Sequence, residues 1–430
     1  MLQKIKYPAT DSWAQISLRP ALQNMKLDEL VEQIFTEIKR NGDSTIRKYT
    51  SLFDGAKITD SIVSQKEIEE SANLIPVDLK EAIQLAKANI KKFHTAQIEQ
   101  KKIIETTAGV SCWRESRPIE RIGIYIPGGS APLFSTVLML GIPAHIAGCR
   151  EVIMCTPPDK NGIINPAILY TAQLAGITTI YKVGGIQAIG AMAIGTESIT
   201  KVDKIFGPGN QYVTAAKQGA LHYGVAIDLP AGPSELLIIA DANANPDFVA
   251  ADLLSQAEHG ADSQVILLSD NETIIDKTII AINAQVNELP RKEIALKALL
   301  NSKAILLDNL KNCIAFSNSY APEHLILACK NSDELTDKVT NAGSVFLGNY
   351  SCESIGDYAS GTNHTLPTNG YAKNYSGVSL DSFVKKITFQ KVTEEGIKNI
   401  GPSVEIMAAA EQLEAHKNAV SIRLKALAND

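Results

Sequence analysis

The amino-acid sequence predicts an α/β protein with parallel sheets and more than one domain, and three features support this prediction. From residue 121 onward, short apolar runs alternate with glycine-rich turns and helical stretches, as expected when each strand is followed by a helix that crosses to the next parallel strand. The same alternation resumes after a break at residues 231–234. At 430 residues the chain is longer than one hydrophobic core usually supports, so roughly two to four domains are expected.

The N-terminal part of the chain is predicted to contain an arm and two helices. Residues 1–22 show little periodicity and are interpreted as the arm. One apolar helical face runs through residues 30–38 and should end at Gly42. A second such face covers residues 79–93, and His94 is predicted to be a surface residue rather than a ligand.

Four strands are predicted in the next part, each followed by a turn and a helix. In chain order they are residues 122–126 before Pro127-Gly128-Gly129, residues 152–155 before Pro157-Pro158, residues 179–183 before Gly184-Gly185, and residues 204–206 before Gly207-Pro208-Gly209-Asn210.

The second half of the chain continues the α/β pattern and ends in a helical tail. Residues 236–240 and 265–268 are predicted strands around a helix that runs to His259. Residues 341–369 are rich in Gly, Ser, Thr and Asn, and are therefore predicted to form loops over a site. From residue 403 to the C-terminus, apolar residues recur at helical spacing.

Composition and charge exclude several classes of protein. The net charge of −6 and the absence of a long basic run argue against a nucleic-acid or membrane partner. No apolar run is long enough to span a bilayer, and the N-terminus lacks the apolar core of a signal peptide. The cysteines form no Cys-x-x-Cys pair or disulfide framework, which predicts a reduced, cytoplasmic protein with mainly structural thiols: Cys112, Cys149, Cys155, Cys313, Cys329 and Cys352.

Glycine-rich turns after three predicted strands suggest a nucleotide site. Glycine lets backbone amides approach a phosphate, and the N-terminus of the following helix favours negative charge. However, none of the turns at residues 127–129, 184–185 and 207–209 matches the full dinucleotide fingerprint. From these turns alone, NAD binding and ordinary turn chemistry both remain open.

Polar side chains that suit a metal or proton transfer occur in four separate places. Gln256 and His259 are three residues apart and would share one helix face. Glu323 and His324 put a carboxylate beside an imidazole, and both can exchange protons when their pKa values are tuned. The others are Asp357 and His364 in the polar stretch, and Glu411 and His416 in the tail.

Nitrogen and oxygen donors from these places would suit zinc, but their spacing alone does not join them. Two alternatives to an NAD enzyme remain open at this point. One is a zinc hydrolase in which Glu323 is the base, and the other is a metal-dependent binding protein of two α/β lobes.

Six motifs resemble the histidinol dehydrogenase family, and the similarity runs from about residue 20 to the C-terminus. They are Gly-Pro-Gly-Asn (207–210), Ala-Gly-Pro-Ser-Glu (231–235), Asp-Leu-Leu-Ser-Gln-Ala-Glu-His-Gly (252–260), Pro-Glu-His (322–324), Gly-Asp-Tyr-Ala-Ser-Gly-Thr-Asn-His (356–364) and Ala-His-Lys-Asn-Ala (415–419).

The resemblance implies a cytoplasmic, zinc-requiring oxidoreductase of histidine biosynthesis. Such an enzyme oxidises L-histidinol to L-histidine via L-histidinaldehyde in two NAD-dependent steps, with one Zn²⁺ per subunit. The implied fold has two incomplete Rossmann-like domains, and small segments and a helical tail that interlock a homodimer with shared active sites. The implied divisions are an arm (1–22), a first domain (23–121 with 236–375), a second domain (122–235) and a tail (376–430).

The resemblance also implies a role for individual residues. The implied zinc ligands are Gln256, His259, Asp357 and His416, and the implied proton acceptors are Glu323 and His324. Tyr125, Gln187 and Asn210 correspond to NAD contacts. The implied substrate contacts are Ser234, Gln256, His259, His324, Asp357, His364, Glu411 and His416.

The two tail residues raise a geometric question. Glu411 and His416 are five positions apart, which is about 140° around an α-helix. They can serve one site only if the helix enters it edge-on or the helical geometry breaks between them.

Overall fold

The computed structural model describes residues 2–20, 25–128, 132–230 and 232–429. Gly129 of the first predicted glycine turn and Ala231 of the predicted break lie outside the described residues. The described strands are β1 (Gln3–Lys6), β2 (Ile104–Thr107), β3 (Val110–Pro118), β4 (Arg121–Tyr125), β5 (Glu151–Thr156), β6 (Thr179–Lys182), β7 (Lys204–Phe206), β8 (Ala226–Ile227), β9 (Glu235–Ala240), β10 (Gln264–Ser269), β11 (Lys303–Leu306), β12 (His324–Ala328), β13 (Ser344–Leu347) and β14 (Val384–Val392).

The helices connect and cover these strands. They are α1 (Trp13–Ile16), α2 (Met25–Asn41), α3 (Asp43–Tyr49), α4 (Gln65–Ser71), α5 (Val77–Thr95), α6 (Phe134–Ala147), α7 (Pro166–Leu174), α8 (Gly185–Ile194), α9 (Gln211–Ala220), α10 (Pro246–Ala257), α11 (Glu272–Gln285), α12 (Lys292–Leu300), α13 (Leu310–Tyr320), α14 (Glu353–Tyr358), α15 (Glu394–Ala410) and α16 (Glu414–Asn429).

Two parallel sheets confirm the predicted α/β fold class. The first has the strand order β6-β5-β4-β7-β8, and the second has the order β1-β11-β10-β9-β12-β13. All pairings in both sheets are parallel. Every residue of β9 and β10 is buried, because helices cover both faces of a parallel sheet. That burial explains why these strands read as continuous apolar runs.

Helices from the N-terminal part pack on the five-stranded sheet. Ile34 and Phe35 of α2 share a core with Tyr125 on one side of that sheet. Ile83 and Ile90 of α5 contribute to the core on the other side. The domain division implied by the resemblance places residues 23–121 with the other sheet, whereas α2 and α5 pack on the five-stranded sheet. The N-terminal arm instead joins the six-stranded sheet, since β1 pairs with β11 at its edge.

A small antiparallel sheet with the order β14-β3-β2 was not predicted. Its central pairing joins Val110–Pro118 to Val384–Val392, which lie far apart in the sequence. The helical tail predicted from residue 403 corresponds to the end of α15 and to α16, which pack together. The tail division implied by the resemblance, residues 376–430, also contains the strand β14. Gly401 of α15 leaves room for Val420 and Leu424, since an added Cβ would lie 3.0–3.1 Å from their side chains.

Two local predictions were wrong. His94 was expected at the surface but is fully buried, with its Nδ1 2.9 Å from the carbonyl oxygen of Ile90. Residues 341–369 were expected to form loops, but they contain β13 and α14. Within the described parts of the chain, no helix combines the length and apolar character needed to cross a membrane.

Candidate active site

Glu323 and His324 lie where three neighbouring strands of the six-stranded sheet begin. His324 is the first residue of β12, and it pairs in register with Leu236 of β9 and Ser344 of β13. Both side chains of the predicted pair are buried. The backbone of Glu235 contacts both, because its N–H donates to Glu323 Oε2 at 2.8 Å and its carbonyl oxygen lies 3.2 Å from His324 Nδ1.

Three carboxylates surround the imidazole of His324. Its Nε2 lies 3.6 Å from Asp357 Oδ1, and its Nδ1 lies 3.7 Å from Glu323 Oε2 and 4.0 Å from Glu353 Oε1. Since Nδ1 faces a carbonyl oxygen, it must carry the proton. Nε2 makes no hydrogen bond with the described residues, so it is the atom left to exchange a proton with a ligand.

Burial and charge shift the pKa values of this group in different directions. Burial raises the pKa of Glu323 to about 8. Burial alone would lower the pKa of His324, but the carboxylates of Glu353, Glu323 and Asp357 outweigh it and raise that pKa to about 10. Burial also raises the pKa of Glu353 well above its usual value. Perturbed carboxyl and imidazole groups in contact are typical of proton-transfer sites.

Donor atoms for a metal converge beside this pair. One atom each from His259, Glu353 and Asp357 lie within 4.8 Å of one another. Glu353 and Asp357 are four residues apart in α14, and therefore share a helix face. His259 follows the C-terminal end of α10, where its N–H donates to Gln256 O at 3.2 Å.

The buried amide of Gln256 supports this interpretation. Its Oε1 and Nε2 are both fully buried and have no partner among the described residues, and the same holds for Glu353 Oε2. A buried polar atom without a partner is costly, so such atoms usually face a ligand, ion or water. The residues present therefore fit a divalent cation held by nitrogen and oxygen donors, such as zinc.

His364 and Ser234, two of the predicted substrate contacts, lie beside this group. His364 Nδ1 lies 2.9 Å from the carbonyl oxygen of Asp357, and its Nε2 lies 3.1 Å from Thr136 Oγ1. Ser234 immediately precedes Glu235 and is partly exposed. The structure thus brings both residues next to the candidate proton-transfer pair.

The two tail residues are not brought to this site by their own chain. Glu411 and His416 are exposed, and neither side chain has a hydrogen bond or ion pair with the other predicted site residues that the structure describes. Between them the helix breaks, since α15 ends at Ala410 and Gln412 has a left-handed φ of 60°. Glu411 and His416 could serve one site only if the helix entered it edge-on or its geometry broke between them, and this break meets the second condition.

A separate cavity of about 1130 Å³ opens at the carboxyl ends of the strands in the five-stranded sheet. Ligands of open α/β sheets commonly bind at such strand ends. Tyr125 and Asn210 line the cavity together with Phe53, Asp54 and Lys160. Asn210 also caps α9, because its Oδ1 accepts hydrogen bonds from the first turn of that helix.

Gln187 lies directly behind the cavity lining. Its side chain is buried, and its Nε2 donates to Asp54 Oδ2 at 3.5 Å. Burial raises the pKa of Asp54 to about 6. The Tyr125 hydroxyl accepts a hydrogen bond from Gly185 N at 3.1 Å. All three predicted NAD contacts are therefore at or beside one cavity.

Gly207 explains why the turn after β7 needs glycine. Its φ is +131°, and an added Cβ would lie only 2.1 Å from the carbonyl oxygen of Tyr125. A larger residue would therefore push the turn away from β4 or displace Tyr125.

Glu353 and Asp54 are two residues of these sites that were not predicted from the sequence. Glu353 lies four positions before Asp357, and that helical spacing was the available signal. Asp54 lies about 70 residues before the strand that carries Tyr125, so no local pattern pointed to it.

Cys149 does not supply an activated thiolate. It is partly buried and not disulfide-bonded, and burial raises its pKa to about 11. A nucleophilic thiolate requires a lowered pKa instead.

Comparison with known proteins supports one family. A family model described as histidinol dehydrogenase matches residues 17–424. The chain is 56% identical to a histidinol dehydrogenase of Bacteroides thetaiotaomicron, covering 99% of this chain and 100% of that protein. It is 52% identical to one from Mannheimia succiniciproducens, covering 95% and 96%. A crystal structure of histidinol dehydrogenase from Elizabethkingia anophelis is 64% identical, with a TM-score of 0.98 over 99% of this chain and 98% of that one.

Proposed function

The chain belongs to the histidinol dehydrogenase family, whose members are oxidoreductases of histidine biosynthesis, and from this premise we propose that it oxidises L-histidinol to L-histidine via L-histidinaldehyde. Two successive steps would each reduce one NAD, and zinc would hold the substrate. The observation that carries the proposal is the position of His324 Nε2, which makes no hydrogen bond with the described residues and lies 3.6 Å from Asp357 Oδ1, a member of the donor cluster with His259 and Glu353. The hydrolase and binding-protein alternatives are not retained, because they do not fit a family of oxidoreductases.

The proposed metal ligands are Gln256, His259 and Asp357, with His416 supplied by a second copy of the chain. Their donors are nitrogen and oxygen atoms, and the Gln256 amide lacks another partner within the described structure. Zinc at this position would hold the imidazole and amine of histidinol, both of which are good zinc ligands. Ser234 and His364 are proposed to contact the same substrate, since they flank the group.

Proton transfer in the proposed reaction is assigned to Glu323 and His324. In the first step, the neutral form of His324 takes the hydroxyl proton of the alcohol at Nε2 while the carbinol carbon loses a hydride, which gives the aldehyde. A cation held by Asp357 would offset the carboxylates that raise the pKa of His324 to about 10 and so would favour this neutral form. In the second step, Glu323 takes a proton from the water that attacks the aldehyde carbon, and a second hydride is lost to give the acid. Burial raises the pKa of Glu323 to about 8, which makes its carboxylate a stronger base than an exposed one.

The cavity beside the five-stranded sheet is the proposed NAD site. Tyr125, Gln187 and Asn210 would contact the cofactor, which accepts one hydride in each oxidation. Two hydrides leave one substrate, so the cofactor must be exchanged while the aldehyde stays bound.

We also propose that the enzyme is a homodimer with shared active sites. Glu411 and His416 are exposed, although the family resemblance gives them roles in substrate binding. The tail also exposes large apolar side chains, with Ile406 at 72% and Met407 at 64%. A contiguous exposed apolar surface is typical of a protein interface. If a second chain covered this tail, Glu411 and His416 could enter the active site of that chain.

NADH formation tests the proposed function. Zinc-loaded protein should form two NADH per L-histidinol, measured by absorbance. If no NAD is reduced, the proposal is wrong.

His259→Ala tests the metal assignment, because it removes one donor from the cluster. It should release most of the bound zinc, as measured by elemental analysis. His222→Ala is the matched control, since His222 is an exposed histidine that is not part of the cluster. Wild-type zinc content in His259→Ala would contradict the assignment.

Glu323→Gln tests the division of proton transfer. A carboxylate that activates water is needed only after the aldehyde has formed, so this substitution should slow oxidation of histidinaldehyde more than oxidation of the alcohol. His324→Asn should slow both. Equal losses in both half-reactions for Glu323→Gln would refute the division.

Subunit mixing tests the shared site. Glu323→Gln and His416→Ala should each be almost inactive alone. In a mixed dimer, one site carries both changes and the other carries neither, so activity should return after exchange. Verified heterodimers that stay inactive would show that the tail serves its own chain.

A further inference from the structure

We infer that Arg19, on the N-terminal arm, is a positioning residue for Glu323 and His324. The inference rests on the proposed function, because it concerns the same two proton acceptors. Arg19 touches neither of them. It acts through Glu235 and through the turn that leads into β12.

Arg19 forms a nearly buried ion pair with Glu235. Its Nη2 donates to Glu235 Oε2 at 2.9 Å, and its Nε donates to Oε1 of the same carboxylate. The side chains are 18% and 2% exposed. Two parallel N–H···O bonds of this kind fix the orientation of a carboxylate as well as its position. The backbone N–H of Asn369 also donates to Glu235 Oε1 at 2.7 Å.

Glu235 in turn holds both proton acceptors through its backbone. Its N–H donates to Glu323 Oε2 at 2.8 Å, and its carbonyl oxygen accepts from His324 Nδ1 at 3.2 Å. The first contact directs the Glu323 carboxylate, and the second leaves Nε2 of His324 as the free nitrogen. A shift of Glu235 would therefore move both side chains together.

Arg19 also fixes the chain just before Glu323. Its Nη2 donates to the carbonyl oxygen of Tyr320 at 2.9 Å, and its guanidinium lies 3.9 Å from the centre of the Tyr320 ring. Ala321 follows with a left-handed φ of 57°, a conformation that costs free energy for a residue with a Cβ. Arg19 thus bridges the start of β9 and the strained turn that delivers Glu323 and His324.

Lysine cannot reproduce these contacts. A guanidinium presents several N–H groups in one plane and can serve a carboxylate, a carbonyl oxygen and an aromatic face together, whereas an ammonium is a point charge on a flexible stem. Arg19→Lys should keep the charge but lose the fixed geometry, and Arg19→Met should lose both. These two variants separate the contribution of charge from that of geometry.

Steady-state kinetics on zinc-loaded, folded protein test the inference. A displacement of about 1 Å at reacting groups can lower a rate about 100-fold, so we expect Arg19→Met to lower kcat by about 10- to 100-fold. The KM values for histidinol and NAD should stay close to wild type, and Arg19→Lys should fall between. Arg121→Met is the control, because it removes a partly exposed pair with Asp203 and should leave kcat unchanged.

Hydrogen exchange gives a second readout that does not depend on activity. In Arg19→Met, amides in residues 235–240 and 320–326 should exchange faster than in wild type, while residues 121–227 should not change. A uniform increase across the chain, with wild-type kcat per folded molecule, would mean that Arg19 only stabilises the fold and would overturn the inference. Absence of NAD reduction in wild type would instead count against the proposed function, and local exchange would still report the positioning contacts.

Discussion

Lys217→Met should destabilise the turn beside the proposed cofactor cavity more than any exposed lysine substitution. Lys217 Nζ lies 2.5 Å from Asp228 Oδ1, and the two side chains are 2% and 0% exposed. Lys217 also donates to the carbonyl oxygen of Gly207 at 2.8 Å, and Asp228 Oδ2 accepts from Gly207 N at 2.8 Å. The buried pair therefore holds both backbone polar groups of the glycine that approaches Tyr125.

Methionine has a similar length but leaves Asp228 buried without its cation. Breaking a buried ion pair from one side typically costs about 3–5 kcal/mol, because the remaining charge is neither solvated nor paired. The matched control is Lys201→Met, which removes a hydrogen bond to the carbonyl oxygen of Tyr223 at the surface. That loss should cost about 0.5–1.5 kcal/mol.

Urea titration followed by circular dichroism measures both free energies of unfolding, and titration with NAD measures cofactor binding. Lys217→Met should unfold at a clearly lower urea concentration than Lys201→Met, and it should bind NAD more weakly because Asn210 follows the same turn. If the two variants are equally stable, the pair does not hold the turn and the reasoning is refuted.

Three further predictions concern single residues. Glu353→Gln should weaken zinc binding by about 10- to 100-fold, because its carboxylate faces the proposed ligands; unchanged affinity in competition with a chelator would contradict this. Gly207→Ala should raise the KM for NAD, since its Cβ would lie 2.1 Å from the Tyr125 carbonyl oxygen, and an unchanged KM would show that the turn adapts. Burial raises the pKa of Asp54 to about 6, above its unfolded value, so its neutral form favours folding and that contribution is lost as pH rises from about 4 through 6. The Tm of Asp54→Asn minus the Tm of wild type should therefore be larger at pH 8 than at pH 4. An equal difference at the two pH values would refute this.

The α/β fold was predictable because its signals are local. A strand buried on both faces must be apolar throughout, as in β9 and β10, and each such strand is followed by a turn and a helix. The antiparallel sheet was not predictable in this way. Val384–Val392 is largely exposed and polar, and its pairing with Val110–Pro118 spans more than half of the chain.

The residues of the candidate site also differ in whether a local sequence signal could identify them. Gln256 with His259, and Glu323 with His324, stand close together in sequence and could be recognised as pairs. Arg19 contacts Glu235, which is 216 positions away in the sequence, and no local sequence pattern predicts such a contact. Contacts between side chains that are far apart in the sequence can be identified only in the folded structure, because they depend on the tertiary fold.

The position of β1 has a consequence for the order in which the protein can be completed during synthesis. Gln3 pairs with Lys303 in a parallel register, so about 300 residues separate the two partners. The ribosome synthesises this intervening chain in roughly 15–60 s at about 5–20 residues per second. During that time β1 has no partner strand, whereas β4 to β8 can already pair with one another. Of the two parallel sheets, the one that bears Glu323 and His324 is therefore the later to close, and the nascent chain positions its proposed proton-transfer groups late in translation.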